Sequence, residues 1–273
     1  MREKEDMYPD QKSVNSIIRD VAETEILPRF KRLSEGDIKE KSPGDLVTIA
    51  DTEAEKALSL RLTELLPNSH AIGEEGVAAD PTTLNVLHGD VPVWIIDPVD
   101  GTHNFAHGSS CFAVIVSLVH QSKTVAGWIH DPVANTTIYA EHDGGAWEGG
   151  ARLTLPAKKT IATMTGSLKR SSRHKLADRQ SGGEKGLPSI VKRYRCVGRE
   201  YMDLARGKLD FAAYGGLLKP WDHAAGILIY RETGGFEGMI GTGTNYQVKP
   251  EIFRGDVMMA PNRPTWDELT GLV

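Results

Sequence analysis

No stretch of this 273-residue chain approaches the roughly 18 consecutive apolar residues of a membrane-spanning helix, so no such helix is expected. The first residues, Met1 to Asp10, are charged and lack an apolar core, which argues against a secretory signal. Cysteine is scarce, with only Cys111 and Cys196. Two reduced thiols in the cytoplasm fit this better than a disulfide. Cys111 lies in an apolar run and is expected in the core; a nucleophilic cysteine would need a His and electropositive surroundings. Basic excess is missing as well. The 32 Lys+Arg are outnumbered by 37 Asp+Glu, for a net charge of −5, so nucleic acid is not an expected partner. A mildly acidic chain does suit a site that collects metal cations. Repeats, low-complexity tracts and long linkers are also absent. What remains, 40% hydrophobic and 25% charged residues, is globular composition at a length that allows one large domain or two modest ones.

The N-terminal part reads as helical. Val14, Ile17, Ile18, Val21, Ile26 and Phe30 recur at helix spacing, with Ser13 as a candidate cap. After the breakers Ser42-Pro43-Gly44, the segment Asp51 to Leu66 carries an apolar stripe of Ala54, Leu58, Leu62 and Leu65. Strand signals follow at Ala71-Ile72, at Val91 to Ile96 (ended by Asp97-Pro98), at Phe112 to Val119, at Val125 to His130 and at Thr136 to Ala140. Further on, Ile161 to Gly166 and Tyr194 to Val197 read as strands, Leu209 to Ala213 as extended, and Glu200 to Arg206 and Asp222 to Thr233 as helices. Ser167 to Gly186 has six Lys/Arg against two Asp/Glu and reads as a solvated helix and loop, because no aromatic residues interleave with its charges. The fold class is α/β (α+β). A composition shift near Gly149-Gly150 divides residues 1–150 from residues 151–273.

The chemistry concentrates in three short segments. In Trp94-Ile95-Ile96-Asp97-Pro98-Val99-Asp100-Gly101-Thr102 an apolar strand ends in two carboxylates three apart, within a Pro/Gly turn. Carboxylates that converge repel one another unless a cation or a proton sits between them, and hard divalent metals take such oxygen ligands. Gly101 lets backbone approach a ligand, and its N–H with that of Thr102 suits an anion. Gly73-Glu74-Glu75-Gly76 adds paired carboxylates after a short strand, and Trp221-Asp222-His223-Ala224-Ala225-Gly226 opens a small-residue helix. Taken singly, these segments read equally as a polar turn, a solvated turn and a helix N-cap.

Together with Asp45-Leu46-Val47-Thr48-Ile49-Ala50-Asp51 and the continuation His103-Asn104-Phe105, these segments resemble the inositol monophosphatase family of Mg²⁺-dependent, lithium-sensitive phosphatases, in family order from Asp45 to Gly226. The resemblance implies a layered αβαβα sandwich with a site for two or three Mg²⁺ between its halves. It implies that Glu74, Asp97 and the Val99 carbonyl hold a first metal and that Asp97, Asp100 and Asp222 hold a second, with Glu74 shared by a weaker third. It gives Asp51 and Thr102 the role of activating water, and it needs neither His103 nor His107 as a ligand. The implied reaction is hydrolysis of a phosphate monoester of a small polyol or sugar, without a covalent intermediate, by a cytoplasmic homodimer. Two-metal clamps suit the very slow chemistry of such esters. Lys41 stands one residue closer to Asp51 than the family's mobile-loop lysine.

Substrate choice departs from the inositol-selective pattern. Where those members carry a Gly-Ser/Thr-Ala-Ala segment, this chain reads Gly198-Arg199-Glu200-Tyr201, and where they carry a hydroxyl-binding Glu it has Gly215. Glu200 is therefore a candidate for binding a substrate hydroxyl and Arg199 for meeting an extra anionic group, with Gly101, Thr102 and Asp222 completing the substrate site. Asn104-Phe105 favours the inositol-type branch over members acting on 3′-phosphoadenosine 5′-phosphate. Histidinol-phosphate and fructose-1,6-bisphosphate phosphatases stay open. So does an interaction protein of the transcription machinery, for which the basic segment Lys169 to Lys192 would serve.

Overall fold

The computed structural model describes residues 8–157, 159–191 and 193–273. Residues 1–7 of the leader reading and Lys192 of the basic segment lie outside these.

Helix α1 (Gln11–Val21) is capped by Asp10, whose carboxylate accepts from the N–H groups of Lys12 and Ser13. Asp10 thus takes the role expected of Ser13. The helical pattern expected to run on to Phe30 instead loosens into a π turn (Ala22–Ile26) and a 3₁₀ turn (Leu27–Arg29), because Pro28 has no N–H and disfavours α geometry before it. A two-stranded hairpin, β1 (Ile38–Ser42) and β2 (Asp45–Thr48), leads into α2 (Ile49–Leu65). Then come β3 (His70–Gly73), α3 (Glu74–Ala79), β4 (Val93–Asp100), α4 (Thr102–Ala106), β5 (Ala113–His120), β6 (Lys123–Asp131), β7 (Thr136–Glu141), β8 (Gly145–Glu148) and β9 (Ala151–Leu153). Strands β3 to β9 form one sheet in chain order, antiparallel except for the β3–β4 pair. Gly149 and Gly150, both at positive φ, make the β8–β9 turn of this sheet.

The second part contains β10 (Thr165–Leu168), α5 (Arg170–Ser181), β11 (Ser189–Ile190), α6 (Val197–Ala205), β12 (Phe211–Leu218), α7 (Pro220–Glu232), β13 (Phe236–Met239), β14 (Phe253–Ala260) and α8 (Arg263–Thr270). Its five strands are ordered β11-β10-β12-β14-β13. Two expected strands shift. Ile161–Thr163 is a 3₁₀ turn, and β10 starts only at Thr165. Tyr194 to Val197 is not a strand: Arg195 adopts a left-handed φ of 57°, and α6 begins at Val197. The Asn104 amide pulls the chain out of extended pairing there by donating to the Tyr194 carbonyl at 2.8 Å.

Alternation along the central strands sorts the core into layers. Trp94, Ile96, Val114 and Val116 face α1 and α2, packing on Val14, Ile18, Leu58 and Leu62. Ile95, Ile115 and Ile129 face the other way, with Tyr201 and Met202 of α6 and Leu228 and Ile229 of α7 between the sheets. Leu168, Phe211 and Met258 pack outward on Leu176 of α5 and Trp266 and Leu269 of α8. The result is the expected αβαβα sandwich. Close approach of α7 to the large sheet requires Gly127, where a Cβ would lie 2.8 Å from the Ala225 Cα.

His130 ties α1 to the large sheet. It is 2% exposed, and its Nδ1 lies 2.9 Å from Thr137 Oγ1, which itself donates to Asn15 Oδ1 at 2.6 Å. Burial, aided by the Arg19 charge, holds the His130 pKa down at about 4. Below the unfolded value near 6.5, the unfolded chain therefore binds a proton that the folded protein refuses, and stability falls as pH drops through 6.5 toward 4. His130→Gln should remove this contribution. Urea unfolding at pH 7 and pH 4 should show the wild type losing up to about 3 kcal/mol more than the variant over that interval. Equal losses would show that His130 does not set the acid sensitivity.

Candidate active site

Each acidic side chain is aimed by a local device. Strand β4 runs past Ile96, where its end was expected, and carries Asp97 and Asp100 at a register shift against β5. Gly101 then turns with φ +88°; a Cβ there would meet the Cys111 carbonyl at 3.0 Å and the Cys196 Cβ at 3.1 Å. Thr102 opens α4. Thr48 caps α2 in a reciprocal capping box with Asp51. Glu74 is the first residue of α3, so the Glu74-Glu75 pair begins a helix rather than a solvated turn. The half-buried carboxylate of Glu55 fixes that helix start by accepting from the N–H groups of Glu75 (2.8 Å) and Gly76 (2.7 Å). Asp222 sits in the first turn of α7 and is not its N-cap, a position held by Lys219 without a side-chain bond.

These devices bring carboxylate oxygens of Glu74, Asp97 and Asp222 within 4.8 Å of one another. Asp97 Oδ1 accepts from the Val99 N–H at 3.1 Å. Asp100 Oδ2 accepts from the Gly198 N–H (2.6 Å) and the Cys196 thiol (3.0 Å). Thr102 Oγ1 lies 3.0 Å from Asp51 Oδ1 and 3.0 Å from the Val99 carbonyl. Asp51 Oδ2 accepts from the Thr48 N–H (2.9 Å) and hydroxyl (2.5 Å).

Burial raises the pKa of Asp97, and the charges of Glu74, Asp100 and Asp222 push it further in the same direction. Asp222 is raised by burial and by Glu74 and Asp100, against the pull of Lys219. Asp51 rises to about 6 through burial, held back by its bonds from Thr48. Asp100 also rises to about 6 through burial, held back by Cys196 and the Gly198 N–H. Glu74 is the exception: burial would raise it, but Lys219 and Lys41 hold it below its ordinary value. Lys41 Nζ lies 3.1 Å from Glu74 and 3.0 Å from Glu75, so the β1–β2 hairpin reaches the acid cluster despite its shortened spacing. Lys219 Nζ, also 3.1 Å from Glu74, was not singled out from the sequence. Buried carboxylates that raise one another's pKa, in a set made only of oxygen donors, fit a hard divalent cation.

The substrate-facing expectations divide. Glu200 is buried and lines a cleft of about 730 Å³ together with Asp100 and Lys219. Its Oε1 accepts from Ser167 Oγ (3.0 Å) and the Tyr194 N–H (3.1 Å), and its Oε2 has no partner among the described residues. Arg199 corrects the expectation of an anion contact. Its guanidinium pairs with the buried Asp131 at the end of β6, and it is not among the residues lining the cleft. Gly215 has a packing reason: a Cβ there would lie 2.0 Å from Asp256 Oδ1 on the paired strand β14. Asp256, bound to Lys169 at 2.5 Å, places a carboxylate beside the position where a Glu is missing.

Gly198 tests how tightly Asp100 is held. A Cβ there would lie 3.0 Å from the Ala113 Cβ and 3.1 Å from Asp100 Oδ2. Gly198→Ala should displace the carboxylate, cost about 1–3 kcal/mol of stability and lower kcat/KM by about tenfold. Unchanged phosphate-release kinetics would show that Asp100 tolerates the shift.

The model of the inositol monophosphatase family matches residues 10–270. The chain belongs to the inositol monophosphatase family. It is 30% identical over 201 residues to the fructose-1,6-bisphosphatase/inositol-1-monophosphatase of Thermotoga maritima, covering 72% of this chain and 73% of that one. It is 34% identical over 206 residues to the inositol-1-monophosphatase of Rhizobium meliloti, covering 72% and 73%. Among solved structures, a Thermotoga maritima IMPase superposes with a TM-score of 0.77 at 25% identity, covering 94% of each chain. The extragenic suppressor protein suhB of Bartonella henselae gives 0.75 at 25% identity, covering 95% of this chain and 97% of that one. The family's chemistry makes this chain a phosphoric monoester hydrolase. Among the described residues, no helix is long and apolar enough to cross a membrane.

Proposed function

We propose that this protein hydrolyses the phosphate monoester of a small polyol or sugar, with Mg²⁺ as cofactor and water as the nucleophile, as a homodimer in the cytoplasm. The observation that carries the reading is the convergence of Glu74, Asp97 and Asp222 beside the hydrogen-bonded pair Thr102 and Asp51. In this reading Glu74, Asp97, the Val99 carbonyl, Asp100 and Asp222 would hold two or three Mg²⁺. Bound there, the ions would supply Lewis acidity toward the phosphoryl oxygens and a lowered pKa for water.

The chain's own residues do the rest. Thr102 donates its hydroxyl proton toward Asp51 Oδ1, which leaves an oxygen lone pair to accept a proton from the attacking water. Asp51 is held for that relay by its bonds from Thr48. The N–H groups of Gly101 and Thr102, at the start of α4, are donors for the phosphate. Asp222 and Glu200 are acceptors for hydroxyls of the alcohol. The attack breaks the P–O ester bond, releasing the alcohol and inorganic phosphate.

The test is phosphate release from inositol 1-phosphate, sugar monophosphates and an aryl phosphate. Activity should require Mg²⁺, disappear with EDTA and fall in millimolar lithium in a manner uncompetitive with substrate. No metal-dependent release from any of these esters would reject the reading. Full activity at tens of millimolar lithium would count against an inositol-type site.

A further inference from the structure

We propose that Cys111 and Cys196 are joined into a reversible disulfide by hydroperoxide oxidants, and that this bond switches the site off by removing a hydrogen-bond donor from Asp100. The inference goes beyond the hydrolysis itself, and it rests on the reading of Asp100 as a metal ligand.

Two cysteines far apart in the chain meet beside the acid cluster. The Asn104 amide donates to the carbonyls of Cys111 and Tyr194 at 2.8 Å each, so one side chain clamps both cysteine-bearing segments. Gly101 lets the segments close, because a Cβ there would meet the Cys111 carbonyl on one side and the Cys196 Cβ on the other. The Cys111 sulfur lies 3.8 Å from the Tyr194 carbonyl and shares a hydrogen bond with the Cys196 thiol. Cys111 sits in irregular chain between α4 and β5, and Cys196 is the extended residue that precedes α6. Backbone of this kind can take up the shift that an S–S bond of about 2 Å requires.

The two sulfurs differ in access. Cys196 is 1% exposed, whereas Cys111 is half-buried. A peroxide in solution therefore meets Cys111 first. The hydrogen bond from Cys196 and the charge of Arg199 hold the Cys111 thiol below its ordinary value, which favours the nucleophilic thiolate. The Cys111 sulfur attacks one oxygen of hydrogen peroxide, the O–O bond breaks, and a sulfenic acid and one water result. The Cys196 sulfur then attacks the Cys111 sulfur. The S–O bond breaks, and the hydroxyl leaves with the Cys196 proton as a second water. Both cysteines are oxidised, one peroxide is reduced to two waters, and a dithiol reductant reverses the bond.

The consequence falls on Asp100. In the reduced protein its Oδ2 accepts from the Cys196 thiol at 3.0 Å, beside the Gly198 N–H. A disulfide sulfur carries no hydrogen, so the carboxylate would face a lone pair in place of a donor. Loss of a group that orients a metal ligand costs about 10–100-fold in metal affinity or activity.

The experiment treats the whole protein with hydrogen peroxide, alkylates the remaining thiols and maps the peptides by mass. A single Cys111–Cys196 cross-linked peptide is expected, in a protein lighter by two hydrogens. Mg²⁺-dependent phosphate release from an aryl phosphate should fall about tenfold or more and return with dithiothreitol. Without metal the oxidised protein should melt higher than the reduced one, because the bond closes a long loop of the unfolded chain. Its gain in Tm on adding Mg²⁺ should nevertheless shrink. Cys111→Ser and Cys111→Ala cannot form the bond, and both should keep their activity through the same treatment. Thiols consumed without the cross-linked peptide, or cross-links only between two chains, overturn the proposal. So does a cross-linked protein with unchanged activity and an unchanged Mg²⁺ gain in Tm, or a Cys111→Ser variant inactivated as fast as wild type. Reduced protein with neither phosphate release nor a Mg²⁺ gain in Tm rejects the phosphatase reading and the switch with it, a result distinct from a cross-link that leaves both intact.

Discussion

Asp97→Asn should lower kcat/KM by at least about a thousandfold, or about 4 kcal/mol of barrier, more than any other single carboxamide swap in the cluster. Asp97 is buried on β4, its carboxylate is within 4.8 Å of Glu74 and Asp222, and it feels the charges of Glu74, Asp100 and Asp222 together. A side chain so placed is the one able to serve two cations at once. Removing its charge also removes a source of repulsion, so the metal-free variant should melt higher than metal-free wild type. The gain in Tm on adding Mg²⁺ should shrink, because a ligand charge is lost from the folded state that Mg²⁺ stabilises. These opposite shifts separate a lost ligand from a damaged fold. Activity within threefold of wild type would rule out the bridging role.

Thr102→Ala should lower kcat by about a hundredfold to ten-thousandfold, with KM and Mg²⁺ affinity nearly unchanged, because its hydroxyl acts on the water rather than on the bound ester. Asp51→Asn should act in the same way, and the double variant should lose little beyond either single one, since the 3.0 Å bond from Thr102 Oγ1 to Asp51 Oδ1 makes them one unit. Asp51 also completes the cap of α2, so its variant should lose about 1 kcal/mol of stability that Thr102→Ala does not. Thermal melting separates that structural cost from the kinetic one. Losses that multiply in the double variant would dissolve the pair.

The departures from expectation share a cause. Tyr194 to Val197 has the apolar and aromatic content of a strand, yet Asn104, some 90 positions earlier, takes the Tyr194 carbonyl and holds the segment as a loop. Arg199 was expected to face an anion because Gly198-Arg199-Glu200-Tyr201 stands where inositol-selective members carry their substrate-facing segment. On α6 the two side chains diverge, Glu200 toward Ser167 and the cleft, Arg199 toward Asp131. Gly215 reads as a lost carboxylate until β14 is laid beside it and Asp256 fills the space.

The sequence by itself determined the α/β class and most strands of the large sheet, through short-range signals: apolar periodicity and Pro and Gly breakers. It also set carboxylates in turns a few residues long, which only the family resemblance joined into a layered fold with one candidate site. Only the tertiary structure decided which charges have partners. Lys219 meets Glu74 across 145 positions, Cys196 meets Asp100 across 96, and four arginines from α5 and the loop before α6 line one cleft together with Asp100 and Glu200. Electrostatic energy depends on separation in space and on exclusion of water, and sheet pairing sets both between segments that the order of residues keeps far apart.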